Sequence, residues 1–170
     1  MYPGSAKINV MYEQLRLLVA EAHDKGLLAV VWSYPRGKAL SKKGETALDV
    51  VCSAAYIACS LGADVVKVKP PTAHLETERG QKAYAEVKRD TLRARVSCVV
   101  QAAFNGRRIV IFSGGEKKDT EDAVLNEIRE LRAGGAFGSI IGRNTFQRPM
   151  EQGVQLLHKV CDIYTGRAQP

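Results

Sequence analysis

Two lysines on one short apolar stretch are the residues of this sequence that most directly suggest chemistry. The stretch is Gly62–Pro71, GADVVKVKPP, and its three valines are typical of a β-strand covered on both faces. Because side chains alternate along a strand, Val65, Lys67 and Lys69 should share one face. A buried amine beside a second cation has a lowered pKa, since desolvation and like charge both disfavour the ammonium ion. Neutral lysine can attack a carbonyl carbon and form a Schiff base.

A simpler interpretation of the same two lysines is that both extend their ammonium groups into solvent where the strand ends. Exposed lysines are far more common than buried, reactive ones. The choice between a nucleophile and a solvated strand end therefore depends on what the rest of the chain places beside Lys67 and Lys69.

Apolar strands alternate with amphipathic helices along the chain. Strands are predicted at Leu27–Ser33, Gly62–Pro71, Arg108–Phe112 and Gly138–Gly142, with a strand end and turn at Met1–Ser5. Helices are predicted at Ile8–Lys25, from Ser41–Gly44 to about Leu61, and at Arg89–Phe104, Thr120–Ala133 and Pro149–Tyr164. This order predicts parallel strands joined by right-handed crossovers, in an open doubly wound sheet or in part of a (β/α)₈ barrel. In both, functional groups lie at the carboxyl ends of the strands.

One aromatic pair lies at the carboxyl end of the first full strand. Trp32 and Tyr34 are two residues apart, so they should point to the same face of the sheet. The Tyr34 phenol could transfer a proton near the lysine, and Trp32 would form a wall of the site. The alternative for Tyr34 is a core tyrosine whose hydroxyl reaches the rim of the protein.

Glycine-rich turns end the last two strands, at Ser113-Gly114-Gly115 and at Gly142-Arg143. Glycine lets backbone N–H groups approach an anion closely, and Arg143 could add a charge-assisted hydrogen bond. The two turns together predict a phosphate site, with ordinary strand-to-helix turns as the alternative. Between the lysine strand and the next helix, residues 70–88 form a polar segment without a strand pattern, predicted as a lid-like insertion.

The size and composition indicate one globular domain over residues 1–170. No apolar run reaches membrane-spanning length, so we expect a cytoplasmic protein with no membrane partner. The four cysteines form no CxxC pair, which favours buried free thiols over disulfides or a metal site. The net charge of +7 is scattered and accompanies no nucleic-acid-binding motif, so it favours an enzyme for small anionic, phosphorylated substrates.

Four segments together resemble the archaeal-type class I fructose-bisphosphate aldolases of the DhnA family. They are VVWSYPRG at Val30–Gly37, GADVVKVK at Gly62–Lys69, IFSGGEKK at Ile111–Lys118 and GSIIGRNTFQRP at Gly138–Pro149. YPGS at Tyr2–Ser5 also resembles the end of that family's fourth barrel strand. The resemblance covers nearly the whole chain, in order and at compatible spacing. It implies a (β/α)₈-type fold of which this chain holds strands five to eight with their helices.

The resemblance implies a metal-free and cofactor-free lyase reaction of glycolysis and gluconeogenesis. Fructose 1,6-bisphosphate would be cleaved reversibly to dihydroxyacetone phosphate and glyceraldehyde 3-phosphate, with Lys67 as the Schiff-base lysine and Tyr34 as the proton-transfer group. Trp32 would line the site. The phosphate-binding residues implied are Ser113, Gly114, Gly115, Gly142 and Arg143. Strand alternation adds the hypothesis that Lys69 lines the site and keeps Lys67 neutral.

The first half of that family's barrel, including an aspartate on its first strand that assists catalysis, has no counterpart here. The chain is therefore expected to be a fragment or to close by pairing with another chain, and we expect a homo-oligomer. Two alternatives stay open for the function. One is a sister enzyme, either an aldolase or transaldolase of aromatic precursor synthesis or a thiolase-like enzyme of autoinducer breakdown. The other is a truncated, non-catalytic domain that binds sugar phosphates.

Overall fold

Four parallel strands form one sheet in the computed structural model of the chain, which describes residues 1–115 and 117–167. Glu116 of the predicted IFSGGEKK segment and residues 168–170 of the tail lie outside the described residues. The strands pair in chain order as β1 (Val30–Trp32), β2 (Val65–Val68), β3 (Ile109–Ser113) and β4 (Gly138–Ile140). The helices are α1 (Ile8–Asp24), α2 (Leu48–Ser60), α3 (Glu78–Ala83), α4 (Leu92–Ala102), α5 (Glu121–Ala133), α6 (Arg143–Phe146) and α7 (Met150–Thr165).

One face of the sheet forms the core. Its side chains Val31, Val66, Val68, Val110 and Phe112 are buried, in one apolar cluster with residues of α2, α4, α5 and α7. Because a right-handed crossover between neighbouring parallel strands always places its helix on the same side, an unbroken strand order puts the helices together on this face. A doubly wound sheet needs a reversal of strand order, and the described strands contain none. The arrangement is that of four consecutive strands of a (β/α)₈ barrel, as predicted.

We call the opposite side of the sheet the open face. The strand register places Trp32 beside Lys67, Lys67 beside Ile111 and Ile111 beside Gly138, so these residues share it. Apolar side chains on this face stay in contact with solvent. Val30, Trp32 and Ile140 are 43%, 44% and 43% exposed.

Helix α1 is attached to the sheet through its C-terminal half. Val19 is its buried residue, and it contacts Gly62, where a Cβ atom would lie 2.7 Å from a Val19 methyl group. Gly62 also has φ of +104°, which L-residues rarely adopt, so glycine fits both requirements at the end of α2. The His23 imidazole lies 2.8 Å from the Asp64 carboxylate and adds a polar contact before β2.

The five predicted helices and the four full strands are confirmed, with shorter strands and two additional short α-helices. The strand end predicted at Met1–Ser5 is wrong: these residues form a turn, and the Met1 carbonyl oxygen accepts a hydrogen bond from the Tyr34 N–H beyond the end of β1. Helix α3 lies inside the segment 70–88, where the Thr77 hydroxyl accepts a hydrogen bond from the Gly80 N–H and caps its first turn. Helix α6 directly follows β4. Both have fewer residues than a periodic apolar pattern needs to become visible in sequence.

The cysteines are free thiols, as predicted, although not all of them are buried. Cys52 and Cys59 are buried and Cys98 is partly buried, whereas the prediction of burial is wrong for Cys161, which lies exposed on α7. In the described ranges no helix combines the length and apolar character needed to cross a membrane. The same ranges contain no group of three or more His, Cys, Asp or Glu side chains suited to a metal ion.

Candidate active site

Lys67 lies on β2 and is only 7% exposed. Its amine nitrogen lies 4.9 Å from the centroid of the Trp32 ring and 6.0 Å from that of Tyr34. Within the described residues it forms no ion pair. Burial lowers the pKa of this amine, because a low-polarity environment disfavours the ammonium form. The result is a lysine with an increased share of the nucleophilic, neutral form beside two aromatic rings.

Tyr34 is held beside Lys67 by the backbone. The ladder between β1 and β2 continues one residue further, since the Ser33 N–H donates to the Lys67 carbonyl oxygen at 2.9 Å. Burial raises the pKa of the Tyr34 phenol, an effect partly opposed by its hydrogen bond with Ser113 and by the charge of Arg36. The phenol is therefore protonated at neutral pH and can donate a proton. Trp32 and Tyr34 thus both lie beside Lys67, and their roles in the site stay predictions.

A cavity of about 550 Å³ opens at the carboxyl ends of the strands. Tyr34 and Ser113 line it, so the proton-transfer candidate and the predicted phosphate turn face the same space. Lys67 and Trp32 do not line the cavity. Tyr34 does, and its ring centroid lies 6.0 Å from the Lys67 amine, so Tyr34 lies next to both the cavity and Lys67. The other residues around the cavity are Arg36, Lys42, Glu45, Thr46, Lys69, Pro70, Gly115 and Arg143. Four cations and one carboxylate surround this space, which suits a substrate with more than one negative charge.

Lys69 has a partner of its own. Its amine lies 3.1 Å from a carboxylate oxygen of Glu45, and the other carboxylate oxygen is 3.1 Å from the Lys42 amine. The hydrogen bond from Lys42 is the main cause that lowers the pKa of Glu45. Burial lowers the pKa of Lys67, and Glu45 balances the charge of Lys69. That the charge of Lys69 also helps to keep Lys67 neutral stays a hypothesis. Lys69 does line the cavity, as expected.

The two glycine turns meet at the edge of the cavity. Ser113 pairs with Ile140 at the end of the β3–β4 ladder, and the Gly114 N–H donates to the Ile140 carbonyl oxygen at 3.0 Å. A Cβ atom on Gly114 would lie 3.1 Å from the Cα atom of Ile141, so a larger residue would fit there only if the neighbouring turn moved by a few tenths of an ångström. Arg143 donates to the Gly115 carbonyl oxygen at 3.0 Å.

The segment 70–88 touches the cavity only through Pro70. The rest is tied to neighbouring loops: Glu76 accepts hydrogen bonds from the Ser41 backbone and hydroxyl, and its carboxylate lies 2.9 Å from the His74 imidazole. His74 thus contacts Glu76 within its own segment. A lid role for this segment stays a prediction.

Several residues around the cavity were not predicted. Arg36, Lys42 and Glu45 come from the connection between β1 and α2. Asn144 of α6, which contacts the loop after β3 without lining the cavity, was not predicted either. The signal for the loop was present in the sequence, because three further cations follow Arg36 before Gly44, directly after a strand end. No comparable sequence signal marks Asn144, because its hydrogen-bond partners Gly114 and Lys118 lie 26 to 30 residues earlier in the chain.

Comparison with known proteins places the chain among aldolases. Residues 1–148 match the family described as DeoC/LacD family aldolase. A fructose-bisphosphate aldolase/6-deoxy-5-ketofructose 1-phosphate synthase from Methanocaldococcus jannaschii is 32% identical over 163 residues, which is 96% of this chain and 46% of that protein. A crystal structure of an archaeal fructose 1,6-bisphosphate aldolase superposes with a TM-score of 0.77 and 32% identity, over 98% of this chain and 56% of that one.

A second archaeal structure adds a chemical comparison. In that fructose-1,6-bisphosphate aldolase the catalytic lysine is covalently bound to the carbinolamine intermediate of the substrate. It superposes with a TM-score of 0.76 and 30% identity, over 96% of this chain and 55% of that one. The chain therefore spans about half the length of the relatives it matches.

Proposed function

Because the chain belongs to the DeoC/LacD family of aldolases, we propose that it carries the Schiff-base half of a class I fructose-bisphosphate aldolase. The observation that carries this proposal is the position of Lys67, a buried amine beside two aromatic rings at the carboxyl end of a strand. The reaction would be the reversible cleavage of fructose 1,6-bisphosphate to dihydroxyacetone phosphate and glyceraldehyde 3-phosphate. The enzyme would be a lyase.

The proposed mechanism begins with attack of the neutral Lys67 amine on the C2 carbonyl carbon of the substrate. Loss of water from the resulting carbinolamine gives an iminium ion. The Tyr34 phenolate, formed when Tyr34 protonates the leaving water, then accepts the proton of the C4 hydroxyl. The C3–C4 bond breaks, and its electrons form the enamine as the iminium nitrogen is neutralised. Glyceraldehyde 3-phosphate leaves. Protonation at C3 and hydrolysis of the imine release dihydroxyacetone phosphate and restore Lys67.

Tyr34 is the group proposed to move protons in these steps. Its phenol ring lies 6.0 Å from the Lys67 amine, and it lines the cavity in which the substrate would lie. The raised pKa of this phenol keeps it in the donor form, which supports protonation of the leaving water and of C3. Trp32, whose ring centroid lies 4.9 Å from the amine, would exclude water from the iminium ion.

Substrate binding is proposed at the glycine turns. Ser113, Gly114, Gly115, Gly142 and Arg143 would bind one phosphate group, and Lys69 with the other cavity cations would attract the anionic sugar. The resemblance to the DhnA aldolases also leads us to propose a cytoplasmic, homo-oligomeric protein acting in glycolysis and gluconeogenesis.

Borohydride trapping with dihydroxyacetone phosphate tests the proposal. We expect a reduced adduct on the peptide that contains Lys67, detected by mass spectrometry, and its loss in Lys67→Met. Lys69→Met is the matched control, two residues away on the same face, and should keep the adduct on Lys67.

The alternatives give different results in the same experiment. An adduct on Lys69 would retain the reaction class and refute the assigned nucleophile. Phosphate binding without any adduct, in a chain that is folded by circular dichroism, would identify a non-catalytic sugar-phosphate-binding domain. Trapping with other carbonyl substrates in place of dihydroxyacetone phosphate would identify a sister enzyme.

A further inference from the structure

Asn144 is an almost fully buried polar residue between the two glycine turns. Its side chain belongs to α6, after β4, and is 1% exposed. Its amide nitrogen donates to the Gly114 carbonyl oxygen at 2.9 Å, and its amide oxygen accepts from the Lys118 N–H at 2.7 Å. Both partners belong to the loop that follows β3. A single side chain thus links α6, directly after β4, to the loop after β3, which lies 26 to 30 residues earlier in the sequence.

The chemistry of these partners determines which residue can occupy the position. One partner is a carbonyl oxygen that needs a donor, and the other is an N–H group that needs an acceptor. An asparagine amide supplies both, in one orientation. Asp would place an oxygen against the Gly114 carbonyl, and an apolar residue would leave both backbone groups without this partner.

The bridge also determines where Arg143 lies. The Arg143 guanidinium donates to the Gly115 carbonyl oxygen, so its position depends on the shape of the loop that Asn144 holds. Gly115 and Arg143 both line the cavity, whereas Asn144 does not. The side chain of Asn144 is therefore placed to affect an anion in the cavity through its neighbours and without touching it.

We propose that Asn144 is a positioning residue that holds the two glycine turns in the geometry that binds the substrate phosphate. This inference rests on the proposed phosphate site and assigns it a supporting residue. Removal of the amide would let the loop after β3 move away from the loop after β4. The backbone N–H groups and Arg143 would then no longer converge on one anion, while Lys67 and Tyr34, on β2 and after β1, would keep their places.

Two variants separate hydrogen bonding from packing. Asn144→Ala removes the amide and leaves a space, and Asn144→Leu fills a similar volume without any hydrogen bond. Gln147→Ala is the matched control, because Gln147 is exposed at the end of the same short helix. Inorganic phosphate is the first probe, titrated by calorimetry into each folded variant. The second readout is the concentration dependence of borohydride trapping with dihydroxyacetone phosphate and with unphosphorylated dihydroxyacetone.

We expect both Asn144 variants to weaken inorganic phosphate binding at least tenfold, and Gln147→Ala to leave it unchanged. The half-saturating concentration should rise at least tenfold for dihydroxyacetone phosphate and change less than twofold for dihydroxyacetone. A merely structural role would affect both ketones equally, and that result overturns the inference. Unchanged phosphate binding in both variants, or loss of folding in both, also overturns it. Absence of phosphate binding and of adduct in the parent chain would instead refute the proposed function.

Discussion

At the scale of single residues, the burial of Lys67 destabilises its charged form and favours its neutral, reactive form. A lysine that is 7% exposed, without an ion-pair partner among the described residues, holds its ammonium form in a poorly solvated place. The same burial increases the neutral fraction at a given pH. Because a neutral amine is the reactive species in imine formation, the destabilised charge and the proposed reactivity have one physical origin.

The pH dependence of imine trapping follows from the lowered pKa of Lys67. A lysine amine is neutral above its pKa, so the trapping rate should rise with pH and reach half of its maximum below the ordinary lysine value. Trp32→Ala admits water to the amine and should move this midpoint upward, with a severalfold lower rate at pH 7. The measurement is the rate of adduct formation by mass spectrometry across pH 6–10.

Phe137→Ala is the control for this experiment, because Phe137 is an exposed aromatic residue just before β4, at the opposite ends of the strands from the cavity. Its pH midpoint should match that of the parent chain. If Trp32→Ala leaves the midpoint unchanged, the Trp32 ring does not exclude water from the amine.

At the scale of elements, the segment 70–88 is held by one buried carboxylate at the start of α2. Asp49 is 4% exposed and accepts hydrogen bonds from the Glu76 N–H, the Thr77 N–H and the Thr77 hydroxyl. The segment leaves no space there for a larger residue at position 80, since a Cβ atom on Gly80 would lie 2.1 Å from an Asp49 oxygen. The segment is therefore an anchored part of the fold that borders the cavity.

Replacement of Asp49 tests this anchor. Asp49→Ala leaves two backbone N–H groups without their acceptor, so we expect a loss of about 3 kcal/mol in the free energy of unfolding. Protease cleavage within residues 70–88 should also become faster. Glu86→Ala removes an exposed acid from the same segment and should change the unfolding free energy by less than about 0.5 kcal/mol. Equal effects of the two substitutions in urea unfolding would contradict the anchoring role.

The sequence predicted most elements because each long helix has a periodic apolar face and each strand has a β-branched core. The sequence also predicted that Lys67, Tyr34 and the glycine turns lie at one end of the sheet, because the carboxyl ends of parallel strands meet at one edge. It did not predict the pairing of Lys69 with Glu45 or the bridge formed by Asn144. These contacts join residues 24 to 30 positions apart, and side-chain partners at such distances follow from the packed structure and leave no local pattern.

At the scale of the whole molecule, the open face of the sheet is the feature that separates this chain from a closed barrel. The chain spans about half of each relative, and apolar side chains such as Val30, Trp32 and Ile140 meet solvent. Exposed apolar surface of this kind promotes association. We therefore expect the 170-residue chain to self-associate at micromolar concentration.

A charge placed on the open face should weaken this association. Ile140→Lys puts an ammonium group among apolar residues, and we expect at least a tenfold weaker self-association, equivalent to about 1.4 kcal/mol. Sedimentation equilibrium measures the effect. Tyr56→Lys is the control, because Tyr56 is an exposed aromatic residue on α2, on the helical side of the sheet. Equal weakening in both variants would show that association does not use the open face.

The strand order of the sheet has a consequence for how the molecule opens. Because β1, β2, β3 and β4 are neighbours in sequence and in space, most contacts join consecutive strand–helix units, as in a linear array of repeats. The inner strands β2 and β3 have a partner on each side, and β1 and β4 lie at the ends. Local unfolding should therefore begin at both ends and proceed inward. The amide hydrogens of β2, which carries Lys67, should be among the slowest to exchange with deuterium.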